Sequence, residues 1–232
     1  MGFIVLEGGA EFGGRMAEVD RQALRLAGGL DVPIRIIPAA AAPDGNHRRA
    51  GQNGVDWFRQ LGASDVSAPA LIDRPSADDP GIAAELTRAR LIFLLGGFPH
   101  HLGQTLQGSK SWQAVLAAYS NGAVIAGSSA GAMVLCQYYY DPATALLQRG
   151  LALLPGVCVL PHHDTFGKDW APLIRNMHGP VVMVGIDEQT GAVSGNAPDC
   201  WQVYGQGQVT LYENNAIHPF NAPQAFALPV MQ

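Results

Sequence analysis

Residues 127–131, Gly-Ser-Ser-Ala-Gly, are the stretch of the chain best suited to do chemistry. A serine with glycine two residues to either side forms the Gly-x-Ser-x-Gly pattern of a nucleophile elbow. In that motif a tight strand-to-helix turn raises the serine hydroxyl at the carboxyl edge of a sheet. By this spacing the nucleophile is Ser129, with Gly127 and Gly131 flanking it and Ser128 in the variable position. The glycines are needed because a β-carbon in such a turn strikes the neighbouring strand or helix. The flanks fit: residues 123–126 are a short apolar run that reads as a buried strand, and small apolar residues follow Gly131 as a packed helix requires. Glycine- and serine-rich turns also join strands to helices in proteins without catalysis, so Ser129 must find partners elsewhere in the chain.

A serine hydroxyl is a weak nucleophile near neutral pH and needs a base within hydrogen-bond reach, usually oriented by a carboxylate. His162 and His163 follow the apolar run 157–160 and Pro161, while Asp187 and Glu188 follow the run 181–186. Gly96 and Gly97 end the continuously apolar run 91–95, which suits a strand covered on both faces. Upstream, a strand over 3–6 precedes a helix carrying Met16, Val19, Ala23 and Leu26 at helical spacing. A strand over 33–37 then leads to a helix around 53–61 and a strand near 65–72. Asp79-Pro80 reads as an N-cap with proline at the first helical position, and Trp112, Val115, Leu116 and Tyr119 mark an amphipathic helix ending just before the elbow strand. Alternating strands and helices predict an α/β fold with a doubly wound, mostly parallel sheet flanked by helices. Ligands of such sheets bind beyond the carboxyl ends of the strands. Ser129, the histidine pair, the acid pair and Gly96-Gly97 all fall at such ends and converge on one crevice. After Leu147 the chain becomes strand-rich; Gly205-Gln206-Gly207 reads as the turn of a C-terminal antiparallel hairpin, and Pro219, Pro223 and Pro229 mark an irregular tail. Gly8-Gly9 has neither the Lys-Ser/Thr ending of a phosphate loop nor a Gly-x-Gly-x-x-Gly pattern, and reads as a turn.

Composition narrows the setting. The 232 residues suffice for a single α/β domain spanning 1–232, and 48% hydrophobic against 14% charged residues excludes a disordered chain. Net charge is −5 with no basic run beyond His47-Arg48-Arg49, so no nucleic-acid partner is expected. The start has no basic n-region and no apolar stretch approaches a membrane span, which points to a cytoplasmic protein without a membrane partner. Three cysteines, Cys136, Cys158 and Cys200, are widely separated and fit reduced thiols rather than a disulfide framework. Low charge and the aromatic run Tyr138, Tyr139 and Tyr140, expected at the surface, permit a homodimer.

The order Ser, His, Glu differs from the Ser, Asp/Glu, His order of α/β-hydrolases. The ordered set Gly96-Gly97, residues 127–132, Leu160-Pro161-His162 and residues 185–188 (Gly-Ile-Asp-Glu) resembles the peptidase E and cyanophycinase family of serine peptidases over about residues 1–212. The fold of that family is like that of class I glutamine amidotransferases. The resemblance implies Ser129 as nucleophile, His162 as base and Glu188 as orienting carboxylate, with the amides of Gly97 and Ala130 forming an oxyanion hole. It implies hydrolysis of a small peptide or amide substrate through an acyl-enzyme, with no cofactor. His163 competes with His162, although alternation of side chains along a strand favours His162; Asp187 competes with Glu188, its other role, like that of Asp164, being to cap a turn. Phe98, His100, His163 and Asp164 are candidates for substrate contact. The chain departs from the pattern of the family it resembles in two places: Phe98-Pro99-His100-His101 replaces polar residues after the glycine pair, and only Lys168 and Arg175 stand where cyanophycinases carry several arginines. The histidine pairs lack the spacing of a His-Glu-x-x-His helix, so no metal is expected. The competing reading is a catalytically inactive amidotransferase-like domain that binds a small ligand or partner.

Overall fold

The apolar runs of the first half become parallel strands, and the helices between them return each strand to the same edge. A computed structural model of the chain describes residues 1–177, 181–197, 199–213 and 216–228. The first half runs β1 (Phe3–Glu7), α1 (Met16–Ala27), β2 (Ile34–Ile37), α2 (His47–Gln60), β3 (Val66–Ser67), α3 (Arg74–Ala77), α4 (Pro80–Arg88), β4 (Leu91–Leu94), α5 (Pro99–Leu106), α6 (Lys110–Ser120), β5 (Val124–Ser128) and α7 (Ala130–Leu135). The second half runs β6 (Cys136–Asp141), β7 (Leu146–Arg149), β8 (Leu154–Leu160), α8 (Trp170–Met177), β9 (Val182–Ile186), β10 (Thr190–Ser194), β11 (Cys200–Gly205), β12 (Gln208–Glu213), β13 (Ala216–Asn221) and β14 (Ala225–Ala227).

Two sheets result. The larger has the order β14-β11-β10-β1-β5-β4-β2-β3, and its five strands from β1 to β3 are parallel. Alternate residues of these strands divide between two cores. Ile4, Leu6, Ile92, Leu94 and Ile125 face one side, while Val5, Leu91, Phe93, Val124 and Ala126 face the other. Burial on both faces is why these strands read as unbroken apolar runs. The N-cap of α4 forms as the sequence predicts: Asp79 Oδ1 accepts the amides of Gly81 at 2.7 Å and Ile82 at 3.0 Å, and Pro80 takes the first helical position, where no amide is needed.

The strand-rich second half builds a sheet of its own, β13-β12-β9-β8-β6-β7, with β8 parallel to both β6 and β9. Val157, Val159, Val184 and Ile186 of this sheet share a core with Ile4, Leu94 and Ile125 of the first. The two sheets therefore bring their strand ends together. Gly205-Gln206-Gly207 does not turn a hairpin; it passes the chain from β11 in one sheet to β12 in the other, and the C-terminal hairpin is β12 with β13. The proline-rich end is likewise strand rather than irregular tail up to Ala227. Pro219 sits in β13, an edge strand paired only with β12, where a missing amide costs no ladder bond; Pro229 lies outside the described residues. The strand expected near 65–72 contracts to Val66–Ser67 because Pro69 cannot donate to the ladder. Tyr139 and Tyr140 are buried rather than surface residues. Among the described residues no helix is long and apolar enough to cross a membrane.

Candidate active site

The turn between β5 and α7 places Ser129 at φ 48° and ψ −113°, a backbone conformation that a non-glycine residue rarely adopts. The neighbouring glycines make it sterically feasible. A β-carbon on Gly127 would lie 2.6 Å from the Gly131 carbonyl carbon, and one on Gly131 would lie 2.1 Å from the Leu94 carbonyl oxygen. The serine amide donates to the Glu7 carbonyl at 3.0 Å, anchoring the elbow to β1.

His162 reaches this serine from the second sheet. Its Nε2 lies 3.0 Å from Ser129 Oγ, and its Nδ1 lies 2.7 Å from Glu188 Oε1. With Nδ1 carrying its proton toward the carboxylate, Nε2 presents a lone pair to the serine hydroxyl. The backbone around His162 is held tightly: φ is 48°, and its carbonyl accepts the amides of Thr165, Phe166 and Gly167 as well as the Thr165 hydroxyl. Phe166 stacks on the imidazole with ring centres 5.0 Å apart and planes 23° from parallel.

The competing pair goes elsewhere. His163 is buried, with Nε2 2.8 Å from the Tyr212 hydroxyl and Nδ1 3.4 Å from Asp187 Oδ1. Asp187 Oδ2 accepts the Gln208 amide at 2.9 Å. The left-handed backbone at His162 turns adjacent imidazoles to opposite sides, one toward Ser129 and one toward the interior of the second sheet. Asp164 accepts the Glu188 amide at 2.9 Å, a loop-holding role of the kind capping predicts. Phe98 is 48% exposed beside Gly97. His100 and His101 lie on α5, whose first position is Pro99; His100 Nδ1 is 3.2 Å from the Tyr139 hydroxyl and His101 Nε2 is 2.7 Å from the Ile72 carbonyl.

Two contributions are invisible in the motifs. The first is the end of β1, where three successive carbonyls act as a hub: Glu7 accepts the Ser129 amide, Gly8 the His162 amide at 2.7 Å, and Gly9 the Gln189 amide at 3.1 Å. One backbone segment thus holds Ser129, His162 and the residue after Glu188. Gly9 has φ +123°, and a β-carbon there would lie 2.2 Å from His162 Cε1. Gly9→Ala is therefore expected to push the imidazole off line by about an ångström. Fluorophosphonate labelling of Ser129 should slow about 100-fold, checked by labelling kinetics with circular dichroism as the control for folding. The second is Glu11, whose Oε2 accepts the Ser128 hydroxyl at 2.9 Å. A β-carbon on Gly96 would sit 3.3 Å from both Glu11 Oε1 and Ser129 Cβ, so this carboxylate borders Ser129. No motif singles it out; its only signal is its place two residues after the glycine turn.

An open cavity of about 560 Å³ abuts this edge, lined by Glu11, Asp44, Asp56, Trp57, Gly96 and Gly97 among others, with no lysine or arginine among the described residues of its wall. Gly97 has φ +135°, and a β-carbon there would lie 2.4 Å from the Ala40 carbonyl oxygen, so only glycine lets this segment pass so close to Ala40.

Residues 4–194 match the model of peptidase family S51. The chain belongs to this family. The S51 chain is 31% identical over 225 residues to a cyanophycinase of Synechococcus elongatus, covering 91% of this chain and 68% of that protein. It is 27% identical to a cyanophycinase of Geminocystis herdmanii, covering 92% and 81%. Among solved structures, a peptidase from an acI-B1 Actinobacterium superposes with a TM-score of 0.88 at 27% identity, covering 98% of this chain and 97% of that one. A candidate peptidase E protein of Listeria monocytogenes EGD-e shares the fold, with a TM-score of 0.63 at 16% identity over 89% of this chain and 100% of that one. The S51 chain is thus a serine peptidase of the peptidase E and cyanophycinase type.

Proposed function

We propose that Ser129, His162 and Glu188 act as a Ser-His-Glu triad cleaving the peptide or amide bond of a small substrate through an acyl-enzyme. The observation that carries this reading is the unbroken line of contacts from Ser129 Oγ through the imidazole to Glu188, 3.0 and 2.7 Å long. His162 Nε2 takes the hydroxyl proton as Ser129 attacks the carbonyl, and Glu188 stabilises the imidazolium that forms. The oxyanion is received by the amides of Gly97 and Ala130. Ala130 is the first residue of α7, so its amide has no acceptor within the helix, and each such donor is worth about two to three powers of ten in rate. His162 then protonates the leaving amine, which departs as the acyl bond to Ser129 persists. Water, activated by the same imidazole, hydrolyses that ester and restores the serine hydroxyl.

The cavity beside Gly97 guides the choice of substrate. Its charged wall residues Glu11, Asp44 and Asp56 are all acidic, so a substrate presenting a carboxylate there meets like charge. A neutral or cationic acyl portion suits it better. The substrate implied by the name of the cyanophycinase relatives is not carried over, because only Lys168 and Arg175 stand where several arginines are expected after the histidine. The test is a fluorophosphonate reaction followed by mass spectrometry of the peptides, together with a dipeptide library graded by charge. An adduct on the Ser129 peptide, and slower turnover of acidic acyl residues than of neutral ones, is the expected result. An adduct on another residue, or no adduct and no turnover, would sink the assignment.

A further inference from the structure

We propose that Glu7 and Asp20, neither of which touches substrate in the scheme above, share one proton and serve as a positioning pair that holds the end of β1 beneath the nucleophile. Both residues are fully buried. Glu7 is the last residue of β1 and pairs with Ser128 in the parallel ladder. Asp20 lies on the inner face of α1, and its Oδ2 accepts the indole N–H of Trp57 at 2.7 Å. Among the described residues, Asp20 Oδ1 and both carboxyl oxygens of Glu7 meet no hydrogen-bond donor. The two carboxyls nevertheless lie in side-chain hydrogen-bonding contact with each other.

Two ionised carboxylates in this position would be like charges in a dry interior, with three oxygens lacking a donor. A single proton removes both problems: a protonated Glu7 donates to Asp20 Oδ1, while Trp57 satisfies Oδ2. The surroundings supply no other remedy. Ser128 and Gly191 flank Glu7 from β5 and β10, Trp57 faces Asp20 from α2, and the further charge acting on both groups is the Glu11 carboxylate. Among the described residues, no cation is among the charges that act on either group.

The link to the active site is direct. The Glu7 carbonyl accepts the Ser129 amide, the next carbonyl accepts the His162 amide, and Trp57 lines the cavity beside Gly97. The carboxyl pair fastens this strand end to α1 and α2. Burial is the main cause that pushes Asp20 up to about 7, and burial with the charges of Asp20 and Glu11 raises Glu7 well above the usual carboxylate range. Both folded-state values exceed the unfolded ones, so the neutral forms favour folding most fully at acid pH. That contribution declines as pH rises from about 4 through the Asp20 value near 7, and is gone once Glu7 loses the shared proton.

The activity arm of the test rests on Ser129 being the nucleophile; the other arms do not. Labelling of Ser129 by a fluorophosphonate and thermal unfolding are followed from about pH 6 to about 10 in the wild type, Glu7→Gln and Asp20→Asn. Infrared difference spectra on alkalinisation report the carbonyl stretch of a protonated carboxyl. The wild type is expected to lose labelling rate and melting temperature on the alkaline side and to lose a protonated-carboxyl band. Glu7→Gln, whose amide donates to Asp20 permanently, should flatten both declines above the Asp20 value near 7 and lack the protonated-carboxyl band that the wild type loses in that range. Asp20→Asn removes the like charge and the acceptor that help raise Glu7, so its band should be lost at lower pH than in the wild type, which tests the pair from the other side should Glu7→Gln fail to fold. Superimposable pH profiles in wild type and variant, or a wild-type spectrum without a protonated-carboxyl band, would overturn the proposal. Absence of Ser129 labelling at every pH would instead defeat the triad, with the infrared and thermal arms still deciding the shared proton.

Discussion

Replacing Ser129 with alanine is expected to give a folded protein whose rate of peptide or amide cleavage falls by about 10⁴-fold or more. The substitution removes one oxygen and leaves the β-carbon in place, so the strained turn at φ 48° is no worse than before. The hydroxyl's partner is His162 Nε2, and the turn itself is held by the Ser129 amide on Glu7 and by the flanking glycines. Loss of activity should therefore come without loss of melting temperature. Ser128 is the internal control. Its hydroxyl is buried and donates to Glu11, so it cannot take over as nucleophile, and Ser128→Ala should still be labelled. Active-site titration with a fluorophosphonate checks both variants. A Ser129→Ala protein that titrates like the wild type would remove Ser129 from the mechanism, whatever its place in the elbow.

The elbow was legible because its determinants are local. Gly127, Ser129 and Gly131 lie within five residues, and the collisions that demand glycine occur with the same turn and its neighbouring strand. The strands of the parallel sheet were legible for a related reason, since burial on both faces removes polar residues and leaves a continuous apolar run. Less could be read where the determinants are remote. The choice between His162 and His163 depends on one left-handed backbone angle and on Tyr212, 49 residues further on. The Gly8-Gly9 turn looks ordinary in sequence, and the reason for Gly9 is an imidazole more than 150 positions away. The second sheet was hidden because Gly205-Gln206-Gly207 has hairpin chemistry, yet the strands it joins pair with other partners. Turn residues specify a local bend, whereas sheet membership is decided by which apolar faces meet.

Replacing each of the adjacent histidines separately should divide catalysis from stability. His162→Ala removes the group proposed to receive the Ser129 proton, and its rate is expected to fall about 10⁴-fold or more. The side chain is partly exposed, so its removal opens space to solvent rather than an interior cavity, and melting temperature should change little. His163→Ala has the opposite profile. It empties a site packed against Gly185 and leaves the buried Tyr212 hydroxyl without its imidazole partner and the Asp187 carboxylate without its neighbour. A loss of about 2–4 kcal/mol in stability is expected, with labelling of Ser129 retained in the folded fraction. Non-additivity supplies the stricter test, because residues acting as one unit are not independent. Ser129→Ala combined with His162→Ala should be no slower than Ser129→Ala alone, since a base with no nucleophile to activate has nothing left to contribute. If His163→Ala rather than His162→Ala abolishes labelling at a temperature where both are folded, the proton passes along the buried Tyr212 side, and the contact from Ser129 to Glu188 is structural only.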